Sequence, residues 1–141
     1  MDNKINQWLQ GFDIINEIAQ YEEIHSERLT DNVKNLALQR TGIENMPLDY
    51  IGDKGWKKQY QYMLLLKSES EIDLQRLSNM DWLDELMDDL EQANNERNYP
   101  ILDNKQVVNV SCSNALTYEE SEDGAVSVYS IQLYFDIRGG I

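Results

Sequence analysis

The sequence predicts an α+β domain in which two helices pack on one face of a four-stranded sheet, antiparallel or mixed, in the order α-β-β-α-β-β. Apolar residues recur at three- and four-residue steps in two segments, as they do on amphipathic helices. In the segments that follow each of these helices, apolar and polar residues alternate as in half-buried strands. The length of 141 residues is that of one ordinary domain, so we assign residues 1–141 to a single domain.

The first helix is expected over residues 4–21, where a single apolar stripe runs along an otherwise polar segment. The stripe consists of Ile5, Trp8, Leu9, Phe12, Ile15, Ile18 and Ala19. Asp2 and Asn3 are both acceptable amino-terminal caps for it. The second helix is expected to begin at Ser70 or at Ser78, because each serine starts a loose capping box. Its apolar side comprises Leu74, Leu77, Trp82, Leu83, Leu86, Leu90 and Ala93.

Four strands are expected, two before and two after the second helix. Residues 33–40 alternate as a half-buried strand, and residues 59–67 carry apolar side chains on both parities, as a central strand does. Residues 108–118 and 129–137 form the last pair, joined by a turn at residues 119–124. The positions of this pair that are expected to face the core are Val108, Val110, Cys112, Leu116, Tyr118, Tyr129, Ile131, Leu133, Phe135 and Ile137.

A long irregular connection is expected over residues 41–58, because glycines and a proline occur there at irregular intervals. Connections of that length in compact domains are usually functional or mobile. This one carries four large side chains able to anchor a partner. We therefore take as candidate subunit-interface residues Met46, Tyr50, Ile51 and Trp56.

The charge is strongly negative: 26 acidic against 12 basic side chains leave a formal net charge of -14. Such a chain repels phosphates and anionic lipids, so we expect no direct sequence-specific binding of nucleic acid. The longest purely apolar run covers residues 63–66 and no signal-peptide pattern opens the chain, which favours a soluble, unsecreted protein that does not bind membranes. One acidic turn is either a solvated hairpin tip or an electrostatic device; its carboxylates are Glu119, Glu120, Glu122 and Asp123.

We predict no enzyme activity, and no catalytic, cofactor or metal site. His25 is the sole histidine and has no recognisable catalytic partner, while Cys112, the sole cysteine, has the parity of a buried small hydrophobic residue. No glycine-rich phosphate loop occurs. One acidic run at helical spacing is more typical of a solvated helix face than of a divalent-ion site; it consists of Asp81, Asp84, Glu85, Asp88, Asp89 and Glu91.

Three segments carry a resemblance to a known family: YQYMLLLKSES at residues 60–70, WLDEL at residues 82–86, and the closing strand at residues 129–138. With them the chain as a whole resembles the small minor capsid or tail terminator proteins of tailed bacteriophages of Gram-positive hosts. The resemblance implies a non-enzymatic virion protein, made in the cytoplasm of the host bacterium and located at the head–tail junction. Its copies, six in number, would close into a ring that contacts tail tube and neck proteins.

In such a ring, residues 46–56 would supply one of the two different patches that a head-to-tail contact needs, and the sheet edge would supply the other. The acidic turn at residues 119–123 would line the bore, where carboxylates keep passing DNA from sticking. The alternative is a small acidic inhibitor that mimics DNA. A mimic needs a continuous exposed row of carboxylates, whereas a ring protein should show apolar patches that only assembly buries. An enzyme would need carboxylates from separate elements that converge in a cleft.

Overall fold

Helices and strands of the described part of the chain are arranged around one sheet. The computed structural model describes residues 1–15, 25–26, 35–48, 54–69, 73–121 and 125–140. In chain order the elements are α1 (Asp2–Gln10), β1 (His25–Ser26), β2 (Asn35–Met46), β3 (Trp56–Glu69), α2 (Asp73–Asn95), β4 (Ile101–Leu102), β5 (Lys105–Glu120) and β6 (Val126–Gly139). The α+β class predicted from the sequence is confirmed.

The strands follow the order β1-β2-β3-β6-β5-β4 across the sheet. The four long strands pair antiparallel, and β1 pairs parallel with β2, so the sheet is mixed. The predicted number of four strands and the order α-β-β-α-β-β are wrong, because β1 and β4 lie at the two edges in addition. Each of these two strands has only two residues, which is too few to show an alternating pattern in a sequence.

The main core lies between the helices and one face of the sheet. Its buried members in α1 are Ile5 and Leu9, and those in α2 are Trp82, Leu83, Leu86 and Leu90. The sheet contributes one parity of each long strand, above all Leu36, Leu38, Tyr60, Tyr62, Leu64, Leu66, Tyr129, Ile131, Leu133, Phe135 and Ile137. This face holds the five apolar positions of β6 that alternation predicts.

Helix α1 ends at Gln10, well before the end predicted for a helix over residues 4–21. The Gly11 N–H donates to the Trp8 carbonyl and the Phe12 N–H to the Leu9 carbonyl, each at 3.1 Å. Hydrogen bonds to the carbonyl three residues earlier tighten the last turn of a helix and end it. Helical structure resumes over residues 13–15, and residues 16–21 lie outside the described part.

Strands β2 and β3 are longer than the sequence predicts, so the predicted connection over residues 41–58 is too long at both ends. β2 continues to Met46 through a bulge between Arg40 and Gly42, and β3 already begins at Trp56. A Cβ at Gly42 would lie 2.9 Å from Oε1 of Gln61 on the neighbouring strand. The glycine thus lies at a bulge within a strand rather than in a turn, beneath the flexible end of the Gln61 side chain.

Helix α2 runs from Asp73 to Asn95 without a break at Ser78. Leu77, predicted to face the core, is 63% exposed, whereas the side chain of Asn79 is buried and donates from Nδ2 to the Tyr129 hydroxyl at 3.3 Å. Side chains that are two positions apart in a helix point about 200° away from each other, so Leu77 and Asn79 cannot share a face. The buried side of α2 therefore extends from Trp82 back to Asn79 and does not include Leu77.

A bulge in β5 changes which of its residues face the core. Val107 pairs with Ile137, but Asn109 pairs with the next residue, Asp136, so that Val108 is inserted. Val107 and Val110 are consequently buried, and Val108, predicted to face the core, is only half-buried. A single inserted residue reverses the parity of everything before it.

Candidate assembly surfaces

The structure gives the predicted interface residues different surroundings. Met46 is the half-buried last residue of β2 and pairs with Lys57. Trp56 is the first residue of β3 and packs against the main core, so it does not lie in an irregular connection. Tyr50 and Ile51 lie outside the described residues. The role of the four residues in a subunit interface therefore stays a prediction.

Trp56 holds the start of β3 against the end of β6, and we call this contact the Trp56 lock. A Cβ at Gly139 would lie 2.3 Å from Cζ2 of Trp56, so the indole ring occupies the space of the missing side chain. Gly55 has a φ of 84°, and a Cβ there would lie 2.2 Å from the carbonyl oxygen of Gly139. Glycine is required at both positions, at residue 55 also because of its left-handed backbone.

Basic side chains lie at the same end of the sheet as Trp56. Lys58 and Lys105 place their Nζ atoms 4.8 Å and 5.9 Å from the centre of the Trp56 ring, within the range of cation–π contacts. We call the set the basic corner; it consists of Lys54, Lys57, Lys58, Lys105 and Arg138. These are five of the twelve basic residues of the chain. The strand register places Lys57 and Arg138 on one face of the sheet, and Lys58 and Lys105 with Trp56 on the other.

The basic corner was not predicted from the sequence, although three of its five residues lie close together in the chain. Three of its lysines flank Gly55 and Trp56 in the run KGWKK at residues 54–58. Lys105 and Arg138 lie far away along the chain. They join the others only because Trp56 and Lys105 both pair with Gly139, and Lys57 pairs with Arg138.

The second face of the sheet carries a network of amides around a buried carboxylate. Asp136 is 8% exposed; its Oδ1 accepts from Nε2 of Gln59 at 3.2 Å and its Oδ2 from Nδ2 of Asn109 at 3.3 Å. Gln61 donates from Nε2 to Oε1 of Gln59 at 3.0 Å and to Glu44 at 3.4 Å. The bonds connect β2, β3, β6 and β5 through one polar network. Further along β3 the same face carries a small buried apolar cluster, which consists of Ala37, Met63 and Leu65.

The outer side of α2 forms the second charged surface. We call it the acidic stripe; its exposed members are Asp81, Asp84, Glu85, Asp88 and Glu91, with Asp89 half-buried beside them. The buried side of the same helix faces the sheet, and Asp88 and Glu91 border a groove between the helix and Cys112 of β5. Within the described residues, no three side chains of His, Cys, Asp or Glu are grouped to hold a metal ion. The stripe is a solvated helix face.

A further polar contact joins α1 to the sheet. Asp2, considered above as a helix cap, accepts instead from Nη2 of Arg40 and, at 2.6 Å, from the hydroxyl of Tyr62. Burial alone would raise the Asp2 pKa, but the bonds from Tyr62 and Arg40 outweigh it and lower the pKa. Burial and the Asp2 contact raise the pKa of Tyr62.

Cys112 in β5 and His25 in β1 are separated by β2, β3 and β6 in the sheet. Cys112 is half-buried, and burial, followed by the charges of Glu91 and Asp88, raises its pKa, which keeps the thiol protonated at neutral pH. His25 lies in β1, and its side chain is outside the described part. Helices in the described part of the chain are too short or too polar to cross a membrane.

The acidic turn is only partly within the described residues. Glu119 and Glu120 are the last residues of β5, and Glu122 and Asp123 lie outside the described part, as do the side chains of the first two. The Ser121 N–H donates to the Val126 carbonyl at 2.9 Å, and the Val126 N–H to the Ser121 hydroxyl at 3.1 Å. These bonds close the two long strands into a hairpin at the end of the sheet opposite the basic corner.

Comparison with known proteins gives a structural neighbour. No protein-family model matches the chain, and no curated protein matches it. The fold is similar to that of a chain in the solved structure of the virion of a native gene transfer agent (GTA) particle, with a TM-score of 0.66 and 10% sequence identity. The similarity covers 96% of this chain and 92% of the other, and at this identity it shows a shared fold.

Proposed function

We propose that the chain is a structural protein of a phage-like virion that acts without catalysis as a tail terminator at the head–tail junction. Copies of the chain would form a six-membered ring that contacts tail tube and neck proteins. The observation that carries the proposal is the similarity of nearly the whole fold to a chain of a gene transfer agent virion. It agrees with the family that the sequence resembles, although the two lines of evidence use different information.

The surfaces of the molecule support assembly. Ring closure needs two different patches on each copy, and this molecule carries surfaces of opposite charge on different elements. The polar part of the second sheet face supplies donors and acceptors for further contacts, as the rims of protein interfaces do. The net charge of -14 suits a protein beside a DNA channel, because carboxylates facing phosphates do not release counterions and so do not bind DNA.

The first test is localisation in particles. Virions would be purified from cultures of the organism whose genome encodes the chain, and the protein would be sought by mass spectrometry and antibody labelling in the electron microscope. We expect label at the junction of head and tail. Particles assembled without the chain should show separated heads and tails. Absence from complete particles would contradict the virion role itself, and label elsewhere would contradict only the position.

The second test is the mass of the purified chain in solution. Light scattering after size exclusion, at several concentrations and salt strengths, should show a species approaching the mass of six 16.5-kDa copies, about 99 kDa. A monomer under all conditions would make ring formation dependent on a tail partner.

A second candidate function is favoured by one observation, the acidic stripe. Its exposed carboxylates follow each other over about 15 Å of helix, since each residue adds about 1.5 Å. Such a row can imitate phosphates for a DNA-binding protein, which is what a DNA-mimic inhibitor requires. Inhibition of a DNA-binding protein from the same host, lost on the double change Asp84→Lys and Asp88→Lys, would support the mimic. Unchanged activity of such proteins would leave the virion role.

A further inference from the structure

We propose that the open edge of β2 in one copy pairs antiparallel with the open edge of β5 in the next copy, so that the sheet continues from copy to copy. This inference rests on the proposed function and names the two surfaces that the ring contact would use. β2 and β5 are the outermost long strands of the sheet, at its two opposite edges. The contact brings Ile43 of one copy into a groove beside Cys112 of its neighbour.

The outer edge of β2 is open over most of its length in the described part of the chain. β1 pairs with only two of the twelve residues of β2, Ala37 and Leu38. Exposure follows the same division, because Ala37 is fully buried whereas residues 41 and 43–45 are exposed. An open edge presents backbone N–H and C=O groups that need partners, so it is a template for another strand.

The outer edge of β5 is the second open edge. Among the described residues, β4 pairs with only the first two residues of β5. Further along, the Tyr99 hydroxyl donates to the Val108 carbonyl at 3.2 Å. The Val110 N–H donates to Oδ1 of Asn94 at 2.9 Å. Alternate residues of a strand direct their backbone groups to the same side, so the N–H and C=O of Cys112 also point to this edge.

A groove lies between this edge of β5 and α2. Its volume is about 430 Å³, and its apolar lining consists of Met87, Val110 and Cys112. All three pack in or against the main core, so the groove opens on the face of the sheet that carries the helices. Ile43 lies on the same face, because it pairs with Tyr60, a member of the main core.

The strand register places Ile43 and the groove in one row across the sheet. Ile43 pairs with Tyr60 of β3. Tyr60 pairs with Phe135, which pairs in turn with Val110. The row is buried from Tyr60 to Val110 and ends at Ile43, which is 47% exposed. Three antiparallel pairings separate β2 from β5, so the two strands run in opposite directions. In a ring whose axis follows the strands, the next copy therefore adds its β2 antiparallel to β5, with Ile43 at the groove.

The cap on β5 sets the register of this contact. Asn94 occupies the outward N–H of Val110, so pairing begins at Cys112 and places Ile43 of the next copy opposite it. Such a stagger accompanies the tilt that strands need when a sheet closes. Ile43 is then covered by Met87 and Cys112 of the neighbour, as expected of an apolar residue that only assembly buries.

Cross-linking through Cys112, the sole cysteine, tests the contact in the full chain. Ile43→Cys would be treated with a mild oxidant at about 150 mM salt. We expect disulfide-linked species that increase in steps of 16.5 kDa in non-reducing electrophoresis. The double variant Ile43→Cys with Cys112→Ser removes the partner thiol and should stay unlinked. Leu77→Cys is the matched control, because Leu77 is also an exposed leucine-sized residue but lies on α2, and it should stay unlinked.

Charge at the same position tests the contact without a covalent bond. A lysine on an edge strand hinders pairing with another chain. Ile43→Lys should therefore weaken self-association at least tenfold in sedimentation velocity, whereas Leu77→Lys, with the same change of charge, should alter it less than threefold. Ile43→Ser serves if Ile43→Lys fails to fold by circular dichroism.

Four results would overturn the inference. They are no linkage in Ile43→Cys, equal linkage in Leu77→Cys, equal association of the two lysine variants, and a wild type that stays monomeric. A linked dimer of the double variant would also overturn it, since two β2 edges would then lie side by side. None of these results affects localisation in particles, so a failure of this inference is distinguished from a failure of the proposed function.

Discussion

At the scale of single residues, the structure uses polar and glycine residues in ways that tie distant parts together. Asp2 links α1 to Arg40 in β2 and Tyr62 in β3, instead of capping its own helix. Gly139 makes room for Trp56. In both cases the partner lies tens of residues away, so the reason for the residue is visible only in the folded chain.

The Asp2 contact should make stability depend on pH in a predictable direction. The folded pKa of Asp2 is lowered, so its contribution is present above the unfolded pKa and disappears as pH falls through the folded value. Because the side chain is half-exposed, Asp2→Asn should cost only about 1 kcal/mol at neutral pH. Denaturant unfolding at neutral pH and at acidic pH measures both effects. If Asp2→Asn lowered the stability equally at acidic and at neutral pH, the ionised Asp2 carboxylate would not contribute to stability.

Tyr62 should affect the stability of the protein at alkaline pH. Its folded pKa is raised above the ordinary value of 10.0, so its contribution is complete below that pH and is lost as pH rises through the folded value. Tyr62→Phe keeps the ring that packs edge-on against Phe135 and removes the hydroxyl. We expect the variant to lose less stability than the wild type between neutral pH and alkaline pH in denaturant unfolding. An identical alkaline decline in both proteins would show that Tyr62 has no part in it.

Gly139→Ala should destabilise the sheet by about 2 kcal/mol, because the new Cβ would overlap the Trp56 ring and overpacking of this kind costs 1–3 kcal/mol. Thermal unfolding and tryptophan fluorescence report the change. Gly11→Ala is the matched control: Gly11 has a φ of -75°, and a Cβ there would lie 3.2 Å from the Trp8 carbonyl oxygen, a milder approach than at Gly139, so alanine should stay within about 1 kcal/mol of the wild type. Equal effects at the two positions would contradict the Trp56 lock.

At the scale of elements, bulges and helix faces decide which residues enter the core. Two adjacent valines illustrate the strand case: alternation favours Val108, and the bulge in β5 selects Val107. Two leucines illustrate the helix case, since Leu86 in α2 is fully buried and Leu77 is not. Hydrophobicity alone ranks the members of each pair as equal.

Alanine at the two valines tests the bulge. Val107→Ala should cost about 2 kcal/mol, because it leaves a gap in the main core, whereas Val108→Ala should cost less than about 1 kcal/mol. The measurement is the midpoint of urea unfolding for each variant. A larger loss at Val108 would mean that β5 has the uninterrupted parity predicted from the sequence.

The face of α2 is tested in the same way. Leu86→Ala should cost about 2–5 kcal/mol, as expected for a buried leucine, and Leu77→Ala should change stability by less than about 0.5 kcal/mol. Thermal unfolding followed by circular dichroism gives both values. Similar losses would show that Leu77 is packed in the folded protein.

At the scale of the whole molecule, two electrostatic effects oppose each other. Copies with a net charge of -14 repel one another over a Debye length or more, while contacts between unlike charges on neighbouring copies attract over a shorter distance. The balance between them should be visible in the salt dependence of association.

Association should therefore be strongest at intermediate salt. Raising salt from about 0.01 M to 0.15 M shortens the Debye length from about 30 Å to about 8 Å and removes repulsion between the copies. Near 1 M, where the length is about 3 Å, the contact between unlike charges weakens as well. Light scattering across this range should show a maximum. A steady rise would mean that apolar contacts hold the copies together.

The sequence by itself determined the α+β class, the central strand β3, the alternation of β6 and the existence of α2, because each of these depends on periodicity within one segment. Tertiary structure alone decided the edge strands, the inserted Val108, the packing of Trp56 against the core and the meeting of basic side chains from three strands at one end of the sheet. The physical reason is register. Which residues face each other across a sheet depends on long-range strand pairing and on single-residue bulges, and neither leaves a periodic trace in the chain.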